Sequence, residues 1–380
     1  MIRKWQTFAT VGVLLAVLFA ARALAQGTLK GEWHAEFWPA KDCVYIQFRS
    51  NLTGWDNEWG FTPRISDLTG FDASAASGAH GAAHFELRRD AGMLVFDGQF
   101  DNARGSGNVV FTPSADYIAG MSAMGYPNLS LEQTLEMAIQ DVSRTFVQQM
   151  RDLGYKDASA DQLVAMRIHG ATPEYVKAMR AAGIEASDVD ELIAMRIHGV
   201  SPEYVSEMKA QGLAGLHAEE LVEMRIHGVK PELVRFMHSL GVANPSVDQL
   251  VEMQIHGVTP DFLRAMSEPG YAGLSPDKLV EMRIHGVTPE YVRAMGDLGI
   301  AHPAADELVE MRIHGVSAEF IRTLKDLGYE RVPVEQLVEM RIHGVSADFI
   351  RDVQSHGNKN VSIEQLIEMR IHGYSRKTTY

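Results

Sequence analysis

The pentapeptide Met-Arg-Ile-His-Gly returns along the chain at a constant spacing of 29 residues. Its copies begin at Met166, Met195, Met224, Met253, Met282, Met311, Met340 and Met369, and Gln254 alone replaces the arginine. A ninth, degenerate copy begins at Met137, and no insertion disturbs the register. A chain that repeats itself this way cannot build one unique core. Each unit must bury its apolar side against the units before and after it, which dictates a stack of near-identical elements. Such stacks present long surfaces, so the pattern points to binding rather than catalysis.

Within each unit the spacing predicts two short helices. In Thr172-Pro173-Glu174-Tyr175-Val176, Thr172 suits the N-cap, Pro173 the first turn and Glu174 the positive dipole end. Gly183 supplies the left-handed residue that ends this helix. The second helix opens on a capping box, such as Ser159 with Gln162, Asp188 with Glu191 or Ser246 with Gln249, and closes at the pentapeptide glycine. Nine first helices (from about 115 to 347) and nine second helices (from about 131 to 363) are expected. At about ten residues each they are too short to persist alone, and the array is an α-solenoid.

On a helical wheel Leu192, Ile193, Met195 and Ile197 fall on one broad face with Arg196 in its middle, while Ala194 and His198 fall opposite. Arg167, Arg196, Arg225, Arg283, Arg312, Arg341 and Arg370 therefore read as a structural ladder. Each is expected to pair with an acid near a first-helix N-terminus, Glu203 for Arg196. Six of the pentapeptide histidines follow a glutamate by four residues, a pair that shares a helix face. Glu223, His227, Glu252, His256, Glu281, His285, Glu310 and His314 are therefore the candidate binding residues, on the side away from the packed face. Histidines on successive units stand about 8–10 Å apart, too far to share one ion. No metal and no cofactor is expected.

Residues 27–113 follow a different grammar. Trp33, Ala35 and Phe37 alternate with polar neighbours, as do Val44, Ile46 and Phe48, and then Phe85 and Leu87. Gly-rich punctuation separates these runs, and a small antiparallel sandwich or barrel is expected. Residues 73–83, rich in Ala, Gly and Ser, read as a mobile loop. Trp33, Trp38, Trp55 and Trp59 all lie here, so an alternative function is carbohydrate or peptidoglycan binding by stacking, with the repeats as a spacer. The helical array spans 114–373, and 374–380 is a polar tail.

Arg3 and Lys4 precede an apolar run from Phe8 to Ala21 and then Ala23-Leu24-Ala25, the order of a secretory signal peptide with cleavage after Ala25. A periplasmic or secreted location is expected, with peripheral envelope association as an option. Removing residues 1–25 takes away Arg3, Lys4 and Arg22 and no acid, so the formal charge moves from −14 to −17. That balance repels phosphate backbones and argues against nucleic acid. Protonating all fifteen histidines would bring it to −2, which predicts self-association near pH 5. The lone Cys43 cannot form an intramolecular disulfide.

No His-Glu-x-x-His, Gly-x-Ser-x-Gly or Walker loop is present. Ser206 to Lys209 and Ser275 to Lys278 match Ser-x-x-Lys, but without the companion motifs they read as chance. His34, Asp42, His80 and His84 have no spacing that favours a site. The expected class is not an enzyme.

The stretch Phe85-Glu86-Leu87-Arg88-Arg89-Asp90-Ala91-Gly92, then Phe96-Asp97-Gly98, Gly105-Ser106-Gly107 and Phe111-Thr112-Pro113, leads into the repeats. Together these resemble the exported C-terminal region of bacterial β-lactam-sensor-type (antirepressor) membrane metallopeptidases, over roughly residues 85–373. The zinc-protease motif and membrane helices of that family are absent, so no catalytic residue carries over. The resemblance implies an accessory sensing or docking role in a bacterial envelope. The expectation is thus an exported scaffold for an extended or repetitive protein partner.

Overall fold

The computed structural model describes residues 27–50, 57–239, 241–242, 244–267, 270–271, 273–357 and 360–373. The leader, Trp55 and the tail 374–380 lie outside the described residues. Strand gives way to helix where the sequence pattern changes, between Pro113 and Ala115. The compact units divide elsewhere: one runs to Ile197, and a second begins at His198.

Seven strands form one antiparallel sheet: β1 Leu29–Trp38, β2 Cys43–Ser50, β3 Asn57–Phe61, β4 Leu68–Thr69, β5 Gly81–Arg89, β6 Gly92–Asp101 and β7 Arg104–Pro113. Their order is β3-β2-β1-β7-β6-β5-β4. The period-2 pattern holds, since Trp33, Phe37, Val44, Ile46, Phe48, Phe85, Leu87 and Phe96 are all buried. β1 and β5 stand three places apart in that order, a separation of about 14 Å across a flat sheet. Yet the Trp33 and Phe85 rings lie 5.5 Å apart, centroid to centroid. The sheet therefore curls onto its own aromatic core. Of the two architectures expected from sequence this is the barrel-like one, a single curled sheet rather than two stacked ones.

The segment 73–83 differs from the expected loop. Ala73–Ser77 is a short helix, α1, and β5 already begins at Gly81. The Asp72 carboxylate accepts the N–H groups of Ser74 and Ala75, so this alanine-rich stretch carries its own cap.

Eighteen further helices follow among the described residues, in nine pairs. The first helices are α2 Ala115–Ala123, α4 Arg144–Asp152, α6 Pro173–Ala181, α8 Pro202–Ala210, α10 Pro231–Ser239, α12 Pro260–Ser267, α14 Pro289–Asp297, α16 Ala318–Asp326 and α18 Ala347–Ser355. The second helices are α3 Leu131–Ile139, α5 Ala160–His169, α7 Val189–Ile197, α9 Ala218–Ile226, α11 Val247–Ile255, α13 Pro276–Ile284, α15 Ala305–Ile313, α17 Val334–Ile342 and α19 Ile363–His372. The caps follow the sequence logic. Thr172 accepts the Tyr175 N–H, and Ser159 and Gln162 form a reciprocal capping box.

Within each unit, like packs on like. In the first unit α3, α5 and α7 stack in succession, as do α2, α4 and α6. In the second unit α9 through α19 and α8 through α18 form the same two layers. In the first unit α3 also packs on β6 and β7. Arg144, the first residue of α4, fastens this junction. Its guanidinium donates to Asp90 at 2.7 Å and to Asp116 at 2.8 Å, and its backbone N–H donates to Asp90 at 2.8 Å. Those bonds hold the Asp90 carboxyl below its ordinary range, against an opposing push from burial.

Candidate interaction surface

Methionine, arginine and glycine of the pentapeptide are put to use by the fold, and histidine lends its backbone carbonyl. The methionines from Met166 to Met340 are fully buried between helices. The glycines take φ between 70° and 84°, the left-handed conformation that ends the helix. After Gly228, for example, the Val229 N–H returns to the Met224 carbonyl at 2.8 Å.

Each arginine lays its guanidinium over the aromatic ring of the first helix in its own pair. Arg196 sits 4.7 Å from the Tyr175 centroid, and Arg225, Arg283, Arg312 and Arg370 sit 4.9 Å from theirs. Nε then donates backwards, to the carbonyl of the preceding pentapeptide histidine: Arg196 to His169 and Arg225 to His198, both at 3.2 Å. The cation thus answers the negative end of the preceding second helix while pinning its own two helices together. A Cβ on Gly199 would meet Arg225 Nη2 at 3.0 Å, so the glycine also makes room for the next cation.

The expected acid ladder is corrected here. Glu203, the acid expected for Arg196, has its carboxyl held low by hydrogen bonds from Ser201 and from its own backbone N–H. A carbonyl and a ring lie within reach of the helix end, whereas Glu203 is already committed to its cap. Arg167 ion-pairs with Asp141 at 3.1 Å and stacks on Phe146. The ladder survives as a minor attraction of Arg167 for Glu174 and Arg283 for Glu290, behind the hydrogen bonds of the glutamates' own caps. The sequence carried a signal for the true pairing. The unit with Gln254 in place of arginine has Leu233 where its neighbours have Tyr204 and Phe262, so cation and ring are replaced together.

The isoleucine is the apolar residue that the fold leaves open. Ile168, Ile197, Ile226, Ile255, Ile284, Ile313, Ile342 and Ile371 are each 50–57% exposed. The wheel had placed Ile197 on the buried face, and that expectation is overturned. It falls about 140° from Leu192, at the rim of the face, and at the helix end no neighbouring side chain closes over it. This column was missed because isoleucine in a helix reads as core. The informative sign was its return at the helix end of every copy.

The predicted binding glutamates share the outer face with this column. Taking Leu221 as zero, Glu219, Glu223 and Ile226 fall at about 160°, 200° and 140°. Glu223, Glu252 and Glu310 are exposed, and Glu281 is half-buried and ion-paired with Lys278. His227, His256, His285 and His314 are half-buried just past the helix ends. Among the described residues, no three His, Cys, Asp or Glu side chains converge to hold a metal ion.

The described tryptophans do not share a platform. Trp33 is fully buried with its indole N–H on the Asp97 carbonyl at 3.2 Å, so it cannot stack on a glycan. Trp59 tilts on Phe48 and donates to Glu136 at 3.3 Å. Trp38 stacks on Tyr45 beneath the Lys41 ammonium. His80 and His84 pair separately with Asp101 and Asp97 on the exposed side of the sheet. The two Ser-x-x-Lys serines have structural partners: Ser206 donates to the Pro202 carbonyl, and Ser275 caps α13.

A cleft of about 630 Å³ lies in the first unit between the sheet and the array, lined by Phe61, Pro63, Arg64, Arg89, Ile139, Asp141 and Ile168 among others. No helix among the described residues is long and apolar enough to cross a membrane. No protein-family model matches the chain, and no curated protein matches it.

Proposed function

We propose that this chain is an exported, non-enzymatic binding scaffold of the bacterial envelope, in which the second-helix layer of the repeats holds a protein partner. The carrying observation is the isoleucine column. From Met166 to Met340 the methionines are buried, the arginines present stack on rings and the glycines end the helices, while the histidines lend a backbone carbonyl. Isoleucine is the apolar residue that stays half exposed in all eight copies. Soluble proteins rarely leave an ordered apolar row in water unless something covers it. The exposed glutamates beside the row would set orientation and exclude wrong partners. Export rests on the leader sequence, and the envelope setting on the resemblance described above.

The test is capture from envelope extract by the full chain and by a variant with Ile255→Ser, Ile284→Ser and Ile313→Ser. A protein retained by the former and lost from the latter supports the scaffold. Retention of the same proteins by both chains would move binding off this face. Retention of glycan by both would move it to the sheet.

A further inference from the structure

In the first pair of helices the isoleucine position is already covered. Ile139 occupies the place of Ile168 and its successors, yet it is 8% exposed where they are 50–57%. Successive helix pairs alone do not produce that difference, since they leave every later isoleucine open. The difference is the β domain, which packs β6 and β7 on α3. The cleft at Ile139 is walled by Phe61-Thr62-Pro63-Arg64 and by Arg89. Arg64 in this segment is extended, at φ −72° and ψ 153°, and bridges Cys43 of β2. Arg89 Nε stands 3.6 Å from Asp141, which occupies the glycine position of that first copy. The first isoleucine position is thus closed where β6 and β7 pack on α3, and a segment of apolar residues, proline and arginine lines the cleft beside it.

We propose that the column Ile226, Ile255, Ile284, Ile313, Ile342 and Ile371 of the second unit binds an extended, cationic, polyproline-II-like segment of a partner protein. One apolar side chain seats per repeat, with lysine or arginine between. This rests on the scaffold reading and names its ligand chemistry.

Three further observations carry it. Charge comes first. From His198 to Tyr380 there are 18 Lys and Arg against 26 Asp and Glu, a net −8. Acids stand at the second and sixth positions of each second helix of this unit, exposed except for Glu281, and lie on the isoleucine face, as Glu219 and Glu223 do. A second copy would bring acid against acid, whereas a cationic strip finds complementary charge. Spacing is next. Packed helices repeat every ~8–10 Å. Three residues of polyproline II span about 9 Å, so every third side chain meets an isoleucine. Two residues of β-strand span only about 7 Å and fall out of step. Area is the last. Six isoleucines, each a little over half exposed, present on the order of 500 Å² of apolar surface, a large share of the ~800 Å² that one side of a standard interface buries.

The test uses the full chain and a fluorescent peptide of six Leu-Lys-Pro triplets, with Ser-Lys-Pro and Leu-Glu-Pro peptides of equal length as controls, read by anisotropy. The Leu-Lys-Pro peptide is expected to bind at least about tenfold tighter than either control, and to weaken as salt screens the acids. The Ile255→Ser, Ile284→Ser, Ile313→Ser chain is expected to lose about tenfold or more with its melting temperature unchanged. Equal binding of the Ser-Lys-Pro or Leu-Glu-Pro peptide would overturn the proposal, as would undiminished binding by the triple variant. If sedimentation shows the wild-type chain pairing with itself through these isoleucines, the occupant is a second copy and the proposal fails. If no peptide binds while isoleucine-dependent capture from envelope persists, the scaffold stands and this ligand chemistry falls.

Discussion

The β domain and the helical repeats spend their apolar residues in opposite ways. In the sheet each large side chain is used once, in one place: Trp33 meets Phe85, Phe96 and Phe100, and its indole N–H is satisfied by Asp97. In the repeats nearly the same five residues recur eight times, with the methionine inward and the isoleucine outward. A unique core of this kind leaves little surplus. A repeated one makes any surplus visible, because a side chain that the fold did not need would be free to vary among the copies. The exposed isoleucine does not vary, whereas the residue before each methionine changes from alanine to glutamate along the array.

That contrast can be broken most forcefully in the sheet. Trp33→Ala should cost about 3–5 kcal/mol and unfold the β domain, seen as loss of near-ultraviolet dichroism. The far-ultraviolet helical signal should survive if the repeats carry their own stability. In the repeats, Met282→Ala should cost about 2–5 kcal/mol, read as a lower denaturant midpoint, because Met282 is as sealed as Trp33.

The junction between the two regions should respond to acid. Asp90 has a folded pKa below its unfolded value, because Arg144 hydrogen-bonds its charged form. Its contribution is therefore present above the unfolded value of 3.8 and lost as pH falls through the folded one. Asp90→Asn should lower stability at pH 7 by roughly 1–3 kcal/mol and reduce the slope of stability against pH below about 4. An unchanged slope in urea melts across that range would remove Asp90 from the junction.

The unit that lacks both cation and ring offers a smaller, sharper test. Gln254→Arg alone should gain little, and Leu233→Tyr alone should gain little. The two together should show a favourable coupling of about 0.5–1 kcal/mol in a double-mutant cycle. No coupling would mean that stacking is incidental and the backward hydrogen bond to the histidine carbonyl is what matters.

Much of this architecture was legible in the sequence, and the limits have physical causes. The two-helix unit, its caps and its glycine stops are local, so Thr172, Ser159 and Gly199 could be read directly. The alternation of Trp33, Ala35 and Phe37 gave the strand, but not the curl that brings Trp33 to Phe85, which depends on residues far apart in the chain. The arginine was recognised as structural, yet its partner was taken to be Glu203, because charge suggests charge. The joint loss at Leu233 and Gln254 was the available clue. The short helix after Asp72 was hidden by its composition. The binding glutamates were placed on the outer face, where the structure also puts them, and the isoleucines between them and the histidines were not recognised.

The most direct test of the account is the stability of two variants side by side in urea. One carries Ile255→Ser, Ile284→Ser and Ile313→Ser; the other carries Arg283→Gln, Arg312→Gln and Arg341→Gln. The account expects the isoleucine variant to stay within about 0.5 kcal/mol of the parent, as surface substitutions do, and the arginine variant to lose several times that. An isoleucine variant that falls as far as the arginine one would show that the column belongs to the fold, and would leave the scaffold without its binding face.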